Sequence, residues 1–247
     1  MDKTETSGEI RKHDSHVLAQ RAVQVQRGGA RAAVLGVNDG LVSVLCIVLG
    51  VAGANAKPSS VLLAGFAGLI AGAISMAAGE WISVTSQVEL FDGILKDLKQ
   101  LVATDRQLIV ERLSEDYQKG GIAPVTAEQA ASEVAGNDKD LFNEFANNVI
   151  GINPNELGSP WTAAISSFAL FTAGALAALV PWFFTEGRLA ITLSISFTAA
   201  GGLLVGGYVA RSSGNSVWRG AVRQLLIIIL AAVVTYGIGH LFGAAVN

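Results

Sequence analysis

Asp39, Met76 and Glu80 are the residues of this sequence best placed to do chemistry, because each stands inside a long apolar stretch. A bare carboxylate at the centre of a membrane helix costs roughly 2.5–3.5 kcal/mol on insertion scales, so an acid in that setting needs a partner or a purpose. Asp39 lies near the start of "GVNDGLVSVLCIVLGVAG", beside Asn38, and Ser43 and Cys46 follow it at helical spacing to form a stripe. Glu80 follows Met76 at the fourth position in "SMAAGE", on the same helix face. Asp39 is about eight residues into its apolar run and Met76 about eight from the end of the next, so at 1.5 Å per residue both lie roughly 12 Å deep. Carboxylate oxygens with one soft sulfur suit a borderline divalent ion such as Fe2+ or Mn2+ better than Ca2+ or Mg2+, which take all-oxygen shells. The candidate metal ligands are therefore Asp39, Met76 and Glu80, with Asn38, Ser43, Cys46 and Gly72 as candidate pore-lining neighbours.

Plainer roles stand beside these. An intramembrane acid can be paired or protonated within a structural bundle, a methionine can fill a core, and Glu80 is close enough to the membrane boundary to be solvated. His13 and His16 flank Asp14 in a polar arm and read as a solvated turn, while His240 in the last apolar stretch reads as a structural hydrogen-bonding group. Glu111, Glu115, Asp138, Asp140 and Glu144 read as exposed or capping charges. The single cysteine, Cys46, excludes a disulfide framework and a thiolate cluster. No nucleophile–base arrangement, phosphate loop or Glu-x-x-His pair occurs, so the chain reads as a non-enzyme without a resident cofactor, a metal ion being its substrate.

The elements that must hold these residues follow from composition. Of 247 residues, 51% are hydrophobic and only 15% charged, too apolar for an ordinary soluble domain. About 20 apolar residues span a bilayer, and five stretches qualify: 32–54, 60–85, 161–184, 189–210 and 219–243. The expected fold is all-α, a polytopic membrane protein with five transmembrane helices and a small cytosolic helical insertion. Four segments follow: a polar N-terminal arm, 1–31; spans one and two, 32–85; a helical domain, 86–159; and spans three to five, 160–247. Lys3, Arg11, Lys12, Arg21, Arg27 and Arg31 precede the first span and Arg211, Arg219 and Arg223 follow the fourth, against Lys57 and Arg188 on the other side. The positive-inside rule then places the N-terminus and the insertion in the cytosol. The net charge of −3 gives no reason to expect nucleic acid as a partner.

Gly36 with Gly40 and Gly68 with Gly72 make GxxxG pairs that let backbones approach closely in lipid. The second span is expected to run on into water as an amphipathic helix with Leu90, Ile94, Leu98 and Leu101 on one stripe. Further helices are expected from Asp105 to Lys119, Thr126 to Ala135 and Asn137 to about Ile150. Thr126 and Gln129 fit a capping box, and Leu141, Phe145 and Val149 form an apolar face.

"RAAVLGVNDGLVSV" and "LLAGFAGLIAGAISMAAGEWISVTSQVEL" together resemble the vacuolar iron transporter family, closely across the first two spans. That resemblance implies movement of Fe2+ or Mn2+ out of the cytosol in exchange for protons. It also implies a homodimer whose path runs between the two copies of the first helix pair, at Asp39 and Met76. Members with the "SMAAGE" form carry a glutamate at the position of Glu80. The plant-type pattern has a further acid where this chain has Gly68. Iron-transporting relatives also carry a cluster of glutamates and methionine in the insertion. The corresponding positions here are Leu98, Leu101, Ile109, Arg112, Phe145, Ala146 and Val149, mostly hydrocarbon in place of oxygen ligands. Two readings follow, a metal exporter with its helical domain retained as a dimer-stabilising bundle, or a non-transporting scaffold or sensor whose apolar bundle binds a partner protein. The membrane would be the plasma (inner) membrane in a prokaryote and a vacuolar or other organelle membrane in a eukaryote.

Overall fold

The computed structural model describes residues 29–246. The N-terminal arm, with His13 and His16, lies outside the described residues up to the first turn of α1. The described residues form nine α-helices: α1 (Gly29–Gly53), α2 (Pro58–Thr104), α3 (Arg106–Lys119), α4 (Pro124–Val134), α5 (Asp138–Phe145), α6 (Pro160–Leu179), α7 (Pro181–Phe184), α8 (Gly187–Ser212) and α9 (Val217–Val246). A π-helical turn, Ala146–Ile150, extends α5. Among these, α1, α2, α6, α8 and α9 are long and apolar enough to cross a membrane, making the chain a multi-pass membrane protein. It divides into two compact units, the first holding residues up to Trp81 and from Trp161, the second holding Ile82–Pro160.

In the first unit α1 is the central helix. Val44, Leu45, Val48 and Leu49 of α1 are fully buried against Leu69 and Ala73 of α2, Phe171, Ala175 and Leu179 of α6, Ala190 of α8, and Ile228 and Ala232 of α9. Lipid tails are as apolar as these side chains, so association here rests on close packing instead of hydrophobic expulsion. Glycines provide it. A Cβ at Gly40 would collide with the Phe171 carbonyl and lie 2.9 Å from the Ala175 nitrogen, and Gly174 meets the Val37 carbonyl in return. The Gly36/Gly40 pair therefore seats α1 on α6. A Cβ at Gly53 would lie 2.5 Å from the Tyr236 carbonyl oxygen, and one at Gly239 would collide with the Gly50 carbonyl, contacts that bring α9 alongside α1 in parallel. Gly68 and Gly72 make no backbone approach of this kind; they leave room for the side chains of Ile47 and Phe171.

The third span differs from the continuous helix expected over 161–184. α6 ends at Leu179 and α7 starts at Pro181, whose missing N–H and ring clash interrupt the helical ladder. Thr185 closes the break, with its backbone N–H and its hydroxyl both donating to the Pro181 carbonyl at 2.9 and 2.8 Å.

In the second unit the later part of α2 packs with α3, α4, α5 and the π-turn around Leu95, Leu98, Val102, Ile109, Leu113, Leu141 and Phe145. Asp105 caps α3 by accepting from the Leu108 N–H, and Asn137 caps α5 by accepting from the Lys139 N–H at 3.0 Å. The capping box at Thr126 and Gln129 is not formed. α4 starts two residues earlier, at Pro124, with Ala123 at the cap and no side-chain cap bond. Proline at the first helical position needs no N–H partner there, so it sets the start by itself. The expected stripe of α2 is also rotated. Leu95, Leu98 and Val102 are buried, while Leu90 and Leu101 are exposed. Leu141 and Phe145 are buried as expected but Val149 is exposed, because the π-turn winds it off the apolar face. Arg106 ties α3 to the next helices through the Asp138 carboxylate and the Ala135 carbonyl.

Candidate functional site

The depth of the candidate ligands is set by the α1–α2 hairpin. Asn55 at φ 57 turns the chain and Pro58 opens α2. Ile47 then fills the space beside Gly68, and Val48 that beside Gly65, which fixes an antiparallel register. One step up α1 matches one step back along α2, so Asp39 comes level with residues 74–76, the level at which Met76 stands.

Asp39 is exposed on α1, and among the described residues its hydrogen-bond partner is Ser43, whose hydroxyl donates to Oδ1 at 2.5 Å. One turn of helix thus presents a carboxylate and a hydroxyl on an uncovered face. Met76 is half-buried and packs against the core around α1. Glu80 is half-buried, next to Trp81, whose ring meets Trp161 edge-on at a centroid distance of 6.1 Å. Indoles favour the polar boundary of a bilayer, the surroundings in which a glutamate beside them is solvated.

Further along the Asp39 stripe the surroundings change. Cys46 is half-buried and lines a cavity of about 410 Å³ with Gly50, Thr235, Gly239 and Phe242, so α9 covers the stripe at that level and leaves it open at Asp39. Gly72 sits under the Phe171 ring, whose atoms take the place a side chain would occupy.

Asn38 faces away from Asp39. It accepts a hydrogen bond from the side-chain amide of Gln224 on α9. Gln224 escaped the sequence reading, although a polar amide in the opening turns of an apolar span is the signal that marks it.

A sequence profile described as the VIT family matches residues 30–240, nearly all of the described chain. The chain belongs to the VIT family. It is 34% identical over 222 residues to the vacuolar iron transporter of Acanthamoeba castellanii, covering 87% of this chain and 78% of that protein. It is likewise 34% identical over 216 residues to vacuolar iron transporter homolog 1 of rice (Oryza sativa subsp. japonica), covering 86% and 73%. To VIT-like transporter 1a of soybean (Glycine max) it is 48% identical, over 82 residues, covering 33% and 40%.

The second unit of this VIT-family chain holds all the positions that the resemblance sets against a ligand cluster. Of the seven corresponding positions, Leu98, Ile109, Phe145 and Ala146 are buried in the apolar core, each less than a tenth exposed. Arg112 pairs with Glu115 at 2.9 Å, and Leu101 and Val149 are exposed. The carboxylate of Glu144 is engaged as well, accepting from the Tyr117 hydroxyl at 2.9 Å and the Asn148 amide at 2.6 Å. Burial, together with the Glu144 carboxylate, pushes the Tyr117 hydroxyl up to a pKa of about 12.

Proposed function

We propose that this protein is a transporter of a divalent transition metal, Fe2+ or Mn2+, that moves the ion out of the cytosol in exchange for protons through a pore formed by two copies of the chain. The observation that carries the reading is the exposed carboxylate of Asp39, held by Ser43 on an otherwise apolar span and level with Met76. One copy leaves that charge facing hydrocarbon, at a cost of roughly 2.5–3.5 kcal/mol. A second copy seated on the same face would bring a second Asp39 and Met76 to it. Two carboxylates around one dication balance charge, and the thioether favours a borderline metal over Ca2+ or Mg2+. The relatives named as iron transporters support iron as one substrate.

Protons enter through the same carboxylate. A proton and a metal cation compete for the same carboxylate oxygens, because a ligand must be deprotonated to hold the ion. Metal entry would therefore expel a proton, and reprotonation from the far side would release the metal. Glu80, at the mouth, would recruit the ion. The cationic residues before the first span and between the fourth and fifth support a cytosolic N-terminus. The apolar core of the second unit supports a bundle that stabilises the assembly without binding metal.

Uptake of Fe2+ and Mn2+ into proteoliposomes, with and without a pH gradient, tests the reading. Asp39→Ala should abolish uptake and Asp39→Glu should retain part of it. Full transport by Asp39→Ala would overturn the ligand role. Absence of metal flux in the unaltered protein, combined with capture of a partner by the second unit, would favour a scaffold or sensor instead.

A further inference from the structure

A second site stands at the start of α9. Trp218, Arg219, Val222, Arg223, Leu226 and Ile227 line an open furrow of about 510 Å³. At 100° per residue these six occupy one half of the helix surface, and from Arg219 to Leu226 they run about 10 Å along it. The furrow is graded. Two guanidiniums and an indole, 74% exposed, lie at its upper end, where the apolar span begins. Leu226, Ile227 and Leu230, all exposed, continue it as hydrocarbon.

The charge is unbalanced. Among the described residues neither Arg219 nor Arg223 has an ion-pair partner. α9 has no acidic residue along its length. Arginines one turn apart match a phosphodiester, because the planar guanidinium forms paired hydrogen bonds to phosphate oxygens and is weakly hydrated. The indole belongs at the level of lipid headgroups. The apolar continuation matches an acyl chain, which a free phosphate would leave unused.

We infer that this furrow binds an anionic phospholipid, its phosphate between Arg219 and Arg223 and one acyl chain along Leu226 and Ile227. The occupant is a lipid of the surrounding leaflet, in contrast to the Asp39 site, which takes a cation and lies on another helix.

The test uses the purified full chain in neutral detergent, titrated with dioctanoyl phosphatidylglycerol, dioctanoyl phosphatidylcholine and glycerol 1-phosphate, with bound lipid counted by native mass spectrometry. Phosphatidylglycerol should bind well above the other two. At the attraction typical of one basic residue near an anionic headgroup, Arg219→Gln or Arg223→Gln should weaken it about five-fold each, and together about 25-fold. Arg219→Lys with Arg223→Lys should bind between the unaltered chain and the double glutamine variant, keeping the charge but losing the paired hydrogen bonds, and Arg188→Gln, on another span, should leave it unchanged. Equal binding of the two lipids by the unaltered chain overturns the inference whether or not the variants fold. So does a double glutamine variant of unchanged melting temperature that binds phosphatidylglycerol normally. Glycerol 1-phosphate binding as tightly as the lipid would mark a free-anion site. A change in oligomeric state without lipid loss would mark a contact between copies. Either result also overturns the inference.

Discussion

The side-chain amide of Gln224 donates to the Oδ1 of Asn38, joining α9 to α1 at the residue immediately before Asp39. Because successive residues of a helix point 100° apart, anchoring Asn38 on α9 fixes the direction in which Asp39 leaves the helix. The two amides thereby aim the Asp39 carboxylate.

Removing either amide should therefore loosen that aim. Asn38→Ala and Gln224→Ala are each expected to cost about 0.6 kcal/mol and at most about 1.7, the average and the maximum for hydrogen bonds between membrane helices. The double variant should cost little more than the worse single one, which a double-mutant cycle of unfolding in micelles would read as coupling. Additive losses would show that the two amides act independently.

The glycine seams predict a sharp contrast. Gly40→Ala places a methyl group against the α6 backbone, which cannot yield as a flexible side chain would. An overpacking penalty of about 1–3 kcal/mol is expected, seen as a lowered melting temperature. Gly237→Ala, whose added methyl meets nothing within 4 Å, should be neutral or slightly stabilising.

Tyr117 gives the second unit a dependence on alkaline pH. Its hydroxyl titrates near 12 in the fold and near 10 in an unfolded chain. The folded state holds the proton more tightly, so the stabilisation is complete below pH 10 and is lost as the pH rises toward 12. Unfolding monitored between pH 9 and 12, read at about half-unit steps, should show this decline. Tyr117→Phe should flatten it.

Placing carboxylates in the core should not create a metal cluster. Leu98 and Ile109 are 2% and 3% exposed, among apolar neighbours. Leu98→Glu with Ile109→Glu buries two like charges or two protonated acids without partners, at a cost of several kcal/mol. The expected outcome is loss of the unit's cooperative melting with no gain in Fe2+ binding by calorimetry. Tight iron binding with retained melting would show that the core can open to hold metal.

The five spans and the level of Asp39 and Met76 were legible in the sequence, because hydrophobic runs and a rise of 1.5 Å per residue determine both. Three things were not. Which helix each GxxxG pair addresses depends on tertiary neighbours, so Gly40 meets α6 and Gly72 holds a ring, though the two motifs read alike. The core face of α2 in the second unit is off by one position, since Leu95 and Val102 compete with Leu90 and Leu101 on a helix apolar enough to permit either. The Asn38–Gln224 bond spans 186 residues, a separation at which no local pattern pairs two amides.

That separation also bears on how the protein is made. At roughly 5–20 residues per second, a ribosome needs on the order of 10–40 seconds to travel from the codon of Asn38 to that of Gln224. Throughout that interval α1 exists without α9, its Asn38 amide unpaired and the notch at Gly53 empty. The first span therefore completes its polar pairing only when the last one arrives.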